Sequence, residues 1–207
     1  MDTFVHTWIP NDDVESKKIW NDMEKLYSPI SFFMDNPIPE NTNSDMFVPN
    51  ASHPANFCTS MFYSIYKSNE LLNEHSLFTG TKYDFVVRSR FDLALNKIID
   101  FSSLEKNVLY VSKDIEGPSL LNDQFAIADT STMNVYASTF LFLRRLHDSG
   151  VPLCGHEMLQ EHLTRNGIII KKIDIDHPFV DGLYNRGRHS IVRDDMHKWV
   201  DPKIWGY

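Results

Sequence analysis

"YDFVVRSRFDLAL", residues 83–95, begins as a buried β-strand and ends in charge. Residues 85–87 are Phe, Val and Val. After them Arg88, Arg90 and Asp92 fall on alternate positions. Side chains of a strand alternate between its two faces, so Arg88, Arg90, Asp92 and Ala94 share one face. A start this apolar reads as a central strand. Such a strand presents charge only near its end, which is where α/β sheets collect ligands. The plain alternative is a strand leaving the core with its outer face solvated. Charges held in a crevice need partners, because an unpaired buried charge is costly. Two guanidinium groups suit a phosphate, and a carboxylate beside them suits a metal ion or a sugar hydroxyl.

Strands and helices alternate outward from this stretch. "DTFVHTW" (2–8) reads as a strand and "NDDVESKKIWNDMEKLY" (11–27) as an amphipathic helix with Val14, Ile19, Trp20, Met23 and Leu26 on its apolar side. "ISFFM" (30–34) reads as a strand. Residues 35–56 hold four Pro and five Asn and read as a long loop. "FCTSMFYSIYKSNELLNEH" (57–75) is the clearest helix, with Phe57, Met61, Ile65 and Leu72 on one face, widened by Phe62 and Tyr66. "NVLYVS" (107–112) and "DQFAIAD" (123–129) read as strands. Residues 130–150 read as one helix, capped by Thr130 or Ser131 and ended by Gly150, with Met133, Tyr136, Phe140 and Leu143 as its core stripe. "HEMLQEHLTRNG" (156–167) is a shorter helix, and "IIIKKIDID" (168–176) is a strand. The tail, 181–207, is irregular. The pattern predicts one α/β domain over residues 1–207, with a mixed sheet flanked by helices.

Composition narrows the function classes. The 207 residues carry a net charge of −8. A chain that lives on phosphate-backbone contacts usually has a basic excess, so nucleic acid is not an expected partner. The densest basic stretch, "NRGRHSIVR" (185–193), is followed at once by two Asp. Two cysteines, Cys58 and Cys154, support neither a disulfide framework nor a four-ligand zinc site, and read as buried free thiols. The longest apolar runs fall short of 18 residues, so no membrane span is expected. "MDTFVHTWIPNDD" lacks the basic and apolar regions of a signal peptide, and a cytoplasmic location is expected.

Four segments in order carry a resemblance: "FVHTW" (4–8), "NFCTSMFYSIYKSNELL…KYDFVVRSRFDLAL", "LNDQFAIADTSTMNVYASTF" and "HEMLQEHLTRNGIII". Over roughly residues 2–175 the chain resembles a group of glycosyltransferases from bacterial polysaccharide gene sets and large DNA viruses. That group is taken to have the nucleotide-sugar-binding GT-A type of fold. The resemblance implies transfer of a sugar, hexose or deoxyhexose, from a nucleotide-sugar donor to a glycan acceptor. The alternative is a non-catalytic carbohydrate- or nucleotide-binding remnant of the fold. A plain structural domain is a third reading. "FVHTW" is similar to the group's second strand and brings His6 and Trp8 to the donor side. The resemblance also implies a first strand ahead of it, which this chain, beginning where it does, is expected to lack.

GT-A enzymes usually hold Mn²⁺ or Mg²⁺ on an Asp-x-Asp at a strand end, where the cation offsets the charge of a diphosphate. Here Arg90 stands at the first Asp and only Asp92 remains. Either the ion has fewer protein ligands, or Arg88 and Arg90 supply the positive charge. Asp174 and Asp176 form a later Asp-x-Asp, with His177 beside them and His189 as a further candidate. A polar strand end with a Pro-terminated turn is their plain reading. In "LNDQF", Asp123 is implied to face the acceptor, as hydroxyl ligand or general base. Glu157 matches the group's Pro-Glu position, with Gly155 and His156 where the Pro would stand. It is the other candidate base, and its plain reading is a first-turn acid favoured by the helix dipole. His156 and His162 lie six apart, on different sides of a helix, which excludes a zinc-protease pair. The eight Gly form neither a Walker A nor a GxGxxG loop.

Overall fold

The structure, a computed structural model, describes residues 1–8, 13–39, 42–46, 55–90, 99–113 and 121–173. In chain order the elements are β1 (Phe4–Trp8), α1 (Asp13–Tyr27), β2 (Ser31–Asp35), α2 (Ala55–Thr79), β3 (Val86–Ser89), β4 (Val108–Ser112), β5 (Phe125–Ala128), α3 (Thr130–Ala137), α4 (Thr139–Asp148), α5 (Gly155–Arg165) and β6 (Ile169–Ile173). Short 3₁₀ turns lie at Ser44–Met46 and Phe101–Ser103. The α/β class is as the sequence predicts.

Two sheets form. β1 and β2 pair in parallel, from Phe4 opposite Ser31 to Trp8 opposite Asp35. The larger sheet runs β3-β5-β4-β6, with β5 antiparallel to β3 and β4, and β6 parallel to β4. Every residue of β4 and β5 is buried. Their runs VLYVS and FAIA are apolar on both faces, as two-sided burial requires. Leu109, Val111, Ala126 and Ala128 face α2, α3, α4 and α5 with Phe62, Met133, Tyr136 and Leu159. Val108, Tyr110, Phe125 and Ile127 face the other way, covered by Phe85, Ile99, Leu104 and Ile173.

Several expectations change. β3 is an edge strand among the described residues, not a central one, and Val87 is 39% exposed. β4 and β5 occupy the centre because they carry apolar side chains on both faces along their length, whereas β3 does so only at its start. The expected helix over 130–150 divides at Ser138. There the Ser138 hydroxyl donates to the Val135 carbonyl at 2.8 Å and lies 3.1 Å from His162 Nε2. A serine hydroxyl that competes for the backbone in this way favours a break. The cap of α3 is Asp129 rather than Thr130 or Ser131: its carboxylate accepts from Thr132 N at 2.9 Å.

On α2 the buried positions are Ala55, Thr59, Phe62, Ile65 and Leu72, and Phe57 is 58% exposed. On α1, Val14, Trp20 and Leu26 are exposed, although Trp20 packs on Phe32 with ring centres 4.6 Å apart. Within the long loop, Met46 is fully buried and Asn43 donates to Thr59 Oγ1 at 3.0 Å, which ties this part to α2. Among the described residues no helix is long and apolar enough to cross a membrane.

Candidate functional site

Three of the residues singled out from the sequence converge where β3, the turn into β5 and the start of α5 meet. In that turn the Asn122 side chain accepts from Gln124 N at 2.7 Å, an Asx turn that fixes the backbone around Asp123. Arg88, opposite Ala126 in the β3–β5 register, donates through Nη1 to the Asp123 carbonyl. The Tyr136 hydroxyl donates to the same carbonyl at 3.4 Å. Burial pushes the Tyr136 phenol up to about 12, against a smaller downward pull from Arg88.

α5 closes the site from the other side. A Cβ at Gly155 would stand 2.6 Å from Asp123 Oδ2 and 3.0 Å from Met61 Cε. Glycine at this position therefore lets the helix start come down on the carboxylate. His156 Nδ1 donates to the Leu121 carbonyl at 2.6 Å, which pins the turn entering Asp123 to the same helix. Two residues into α5, Glu157 keeps one carboxylate oxygen, Oε2, buried with no donor among the described residues. A buried acceptor without a donor is costly, so this oxygen is poised for a hydroxyl or N–H from outside.

Cys58 of α2 and Cys154, the residue before α5, border the acids. Burial, and then the nearby Cys154, Asp123 and Glu157, pushes the Cys58 thiol up to about 12. Burial and the neighbouring Glu157 carboxylate raise the Cys154 thiol. Both are free thiols held in the neutral form, as packing groups rather than nucleophiles. The arrangement thus offers two carboxylates, a guanidinium and a neutral, partly apolar wall. It can accept a hydrogen bond or a proton from a hydroxyl group and steady negative charge beside it.

Comparison with protein-family models and with curated proteins yields no match.

The remaining candidates lie elsewhere. His6 and Trp8 belong to a second group on the far side of α2. At 100° per residue, Tyr63 and Cys58 point about 140° apart on that helix. His6 is buried, with Nε2 3.7 Å from Asp35 Oδ2, and burial lowers its pKa against the pull of that carboxylate. Trp8 stacks on Tyr63 with ring centres 5.4 Å apart. The Tyr63 hydroxyl donates to Asp35 Oδ2 at 2.6 Å, and this bond is the main reason its phenol is raised to about 12. Asp35 and Tyr63 escape a motif reading. Asp35 had a signal: it ends a strand parallel to "FVHTW" and pairs with Trp8, at the carboxyl ends where α/β sheets bind ligands. Tyr136 and Gly155 carried no signal in the sequence, since their contacts come from the packing of separate elements.

Arg90 is exposed, just beyond β3. Asp92, Asp174, Asp176, His177 and His189 lie outside the described residues. Among the described residues no three His, Cys, Asp or Glu side chains form a group that would hold a metal ion.

Proposed function

We propose that this chain has a GT-A-like fold and transfers a sugar from a nucleotide-sugar donor to a glycan acceptor in the cytoplasm. The reading rests on the ordered motifs over residues 2–175, and one observation carries it. Asp123, whose carbonyl Arg88 holds, lies against the start of α5 two residues before Glu157, both acids act on the Cys58 thiol, and Glu157 has a buried oxygen in want of a donor. An acceptor hydroxyl hydrogen-bonded to that oxygen would be held by Glu157 and give up its proton to it as the new glycosidic bond forms. Asp123, its backbone fixed by Arg88 and Tyr136, would orient a second hydroxyl. Arg88 spends part of its guanidinium on the Asp123 carbonyl and would turn its other donors to the phosphates, with Arg90 as the second guanidinium of this strand end. Mn²⁺ or Mg²⁺, when bound, would offset the charge of the departing nucleoside diphosphate.

The rival is a carbohydrate- or nucleotide-binding remnant. It is favoured by Arg90 standing where the first acid of the metal pair would be. Thermal shifts with a panel of UDP-, GDP- and TDP-sugars, with and without Mn²⁺, test both. The transfer reading expects stabilisation by one donor and release of free nucleoside diphosphate. Glu157→Gln should then keep the donor shift and lose on the order of 10²–10⁴-fold in release rate. Stabilisation without release assigns the remnant. No shift with any donor overturns the transfer reading.

A further inference from the structure

A second groove lies between α2 and α3, well away from the acids. Asn69, on its wall, stands about 16 Å further along α2 than Cys58, at ~1.5 Å per residue. The groove is open, encloses about 350 Å³ and is lined by Tyr66, Asn69, Glu70, Asn73, Glu74 and Asn134 among others. That volume is within the range of small-ligand sites.

Its lining is unusual in chemistry. Asn134 Oδ1 accepts from Asn69 Nδ2 at 2.7 Å and from Asn73 Nδ2 at 2.9 Å. Three carboxamides therefore converge on one point. Asn69 Oδ1 is buried and finds no donor among the described residues. The Glu70 carboxylate lies close enough to raise the Tyr66 phenol, and the Tyr66 ring is held against Phe140 with ring centres 5.6 Å apart. Glu70 is also held by Lys67 at 2.7 Å, while Glu74 is exposed at the rim. Among the described residues lining the groove there is no Lys or Arg.

We infer that this groove between α2 and α3 binds a neutral saccharide. Sugar hydroxyls both donate and accept, and carboxamides and carboxylates offer the complementary set. A hydroxyl supplies the donor that Asn69 Oδ1 lacks. The fixed Tyr66 ring gives an apolar face for the C–H side of a pyranose. Glu70 is offset by Lys67, but Glu74 at the rim and the lack of a cation among the lining residues set the groove against anions such as uronates. The site is separate from the transfer reaction. A chain that binds a neutral sugar here and no nucleotide sugar keeps this site and loses the reading above.

The test is NMR titration of the ¹⁵N-labelled full chain with maltotriose, cellotriose, mannotriose and chitotriose, using trigalacturonate as the anionic control. The inference expects at least one neutral trisaccharide to shift the side-chain amide signals of Asn69, Asn73 and Asn134 saturably, and trigalacturonate to leave them in place. Asn73→Leu keeps the volume and should weaken binding at least tenfold. Glu74→Ala, at the exposed rim, should weaken it severalfold with an unchanged Tm, and it decides the matter if Asn73→Leu fails to fold. Amide signals unmoved by all four neutral sugars would show that the three asparagines only tie α2 to α3, and the inference falls. Binding untouched by both variants, or an equal response to trigalacturonate, overturns it too.

Discussion

The Asp129 carboxylate accepts from Ser131 Oγ at 2.5 Å, from Thr132 N at 2.9 Å, from Thr132 Oγ1 at 3.2 Å and from the Asn107 N–H. Burial works against its charge, but these donors outweigh it and hold the carboxyl down to about 2. One side chain thus starts α3 and also fastens the turn before β4, where Asn107 takes a positive φ of 60°. We expect Asp129→Ala to cost about 2 kcal/mol in urea unfolding, from a lost cap and an orphaned Asn107 N–H. A loss under about 0.5 kcal/mol, the scatter of ordinary surface changes, would mean that the carboxylate is not the cap. The sequence pointed one or two residues too far, to Thr130 or Ser131, because all three types cap helices. Which of them lies outside the first turn depends on where β5 ends. Gly155 is similar: only the descent of α5 onto Asp123 makes a side chain there displace the carboxylate.

At the scale of elements, α2 is the shaft on which the molecule is mounted. It packs on β1, β2, α3 and α4. Its apolar residues are spread widely enough that periodicity alone proposes Phe57 and Phe62 alike. The structure separates them: Phe62 is fully buried in the main core and Phe57 is 58% exposed. Phe62→Ala should therefore cost about 3–5 kcal/mol. Phe57→Ala, at a position 58% exposed, should cost less than half as much. Equal losses in chemical denaturation would mean that the helix is rotated from this packing. β3 teaches the same lesson from the sheet side. Its apolar start and charged end were legible, but its place at an edge was not, because that depends on how well β4 and β5 fill both faces.

For the molecule as a whole, the two histidines buried among the described residues tie stability to pH. Burial lowers the pKa of His6, despite Asp35, and that of His162, despite its bond to the Val135 carbonyl. The unfolded chain takes up these protons near pH 6.5 and the folded chain only at lower pH, so their contribution is complete above about 6.5 and is lost on acidification. Asp129 adds a second loss at lower pH, between its unfolded value of about 4 and its folded value of about 2. Tm should fall as the pH is lowered from 7 to 5, and His162→Gln should flatten that fall; a flat profile for the unaltered chain would contradict the burial of both rings. The α/β class, the succession of strands and helices, and the candidates Arg88, Asp123 and Glu157 were all readable from the sequence, since periodicity, caps and strand ends are local properties. Which acids meet, which sheet His6 and Trp8 join, which phenylalanine of α2 is buried, and that three asparagines from two helices share one groove were decided by tertiary packing alone. Such contacts join residues far apart in the chain, and no local pattern encodes the distance between them.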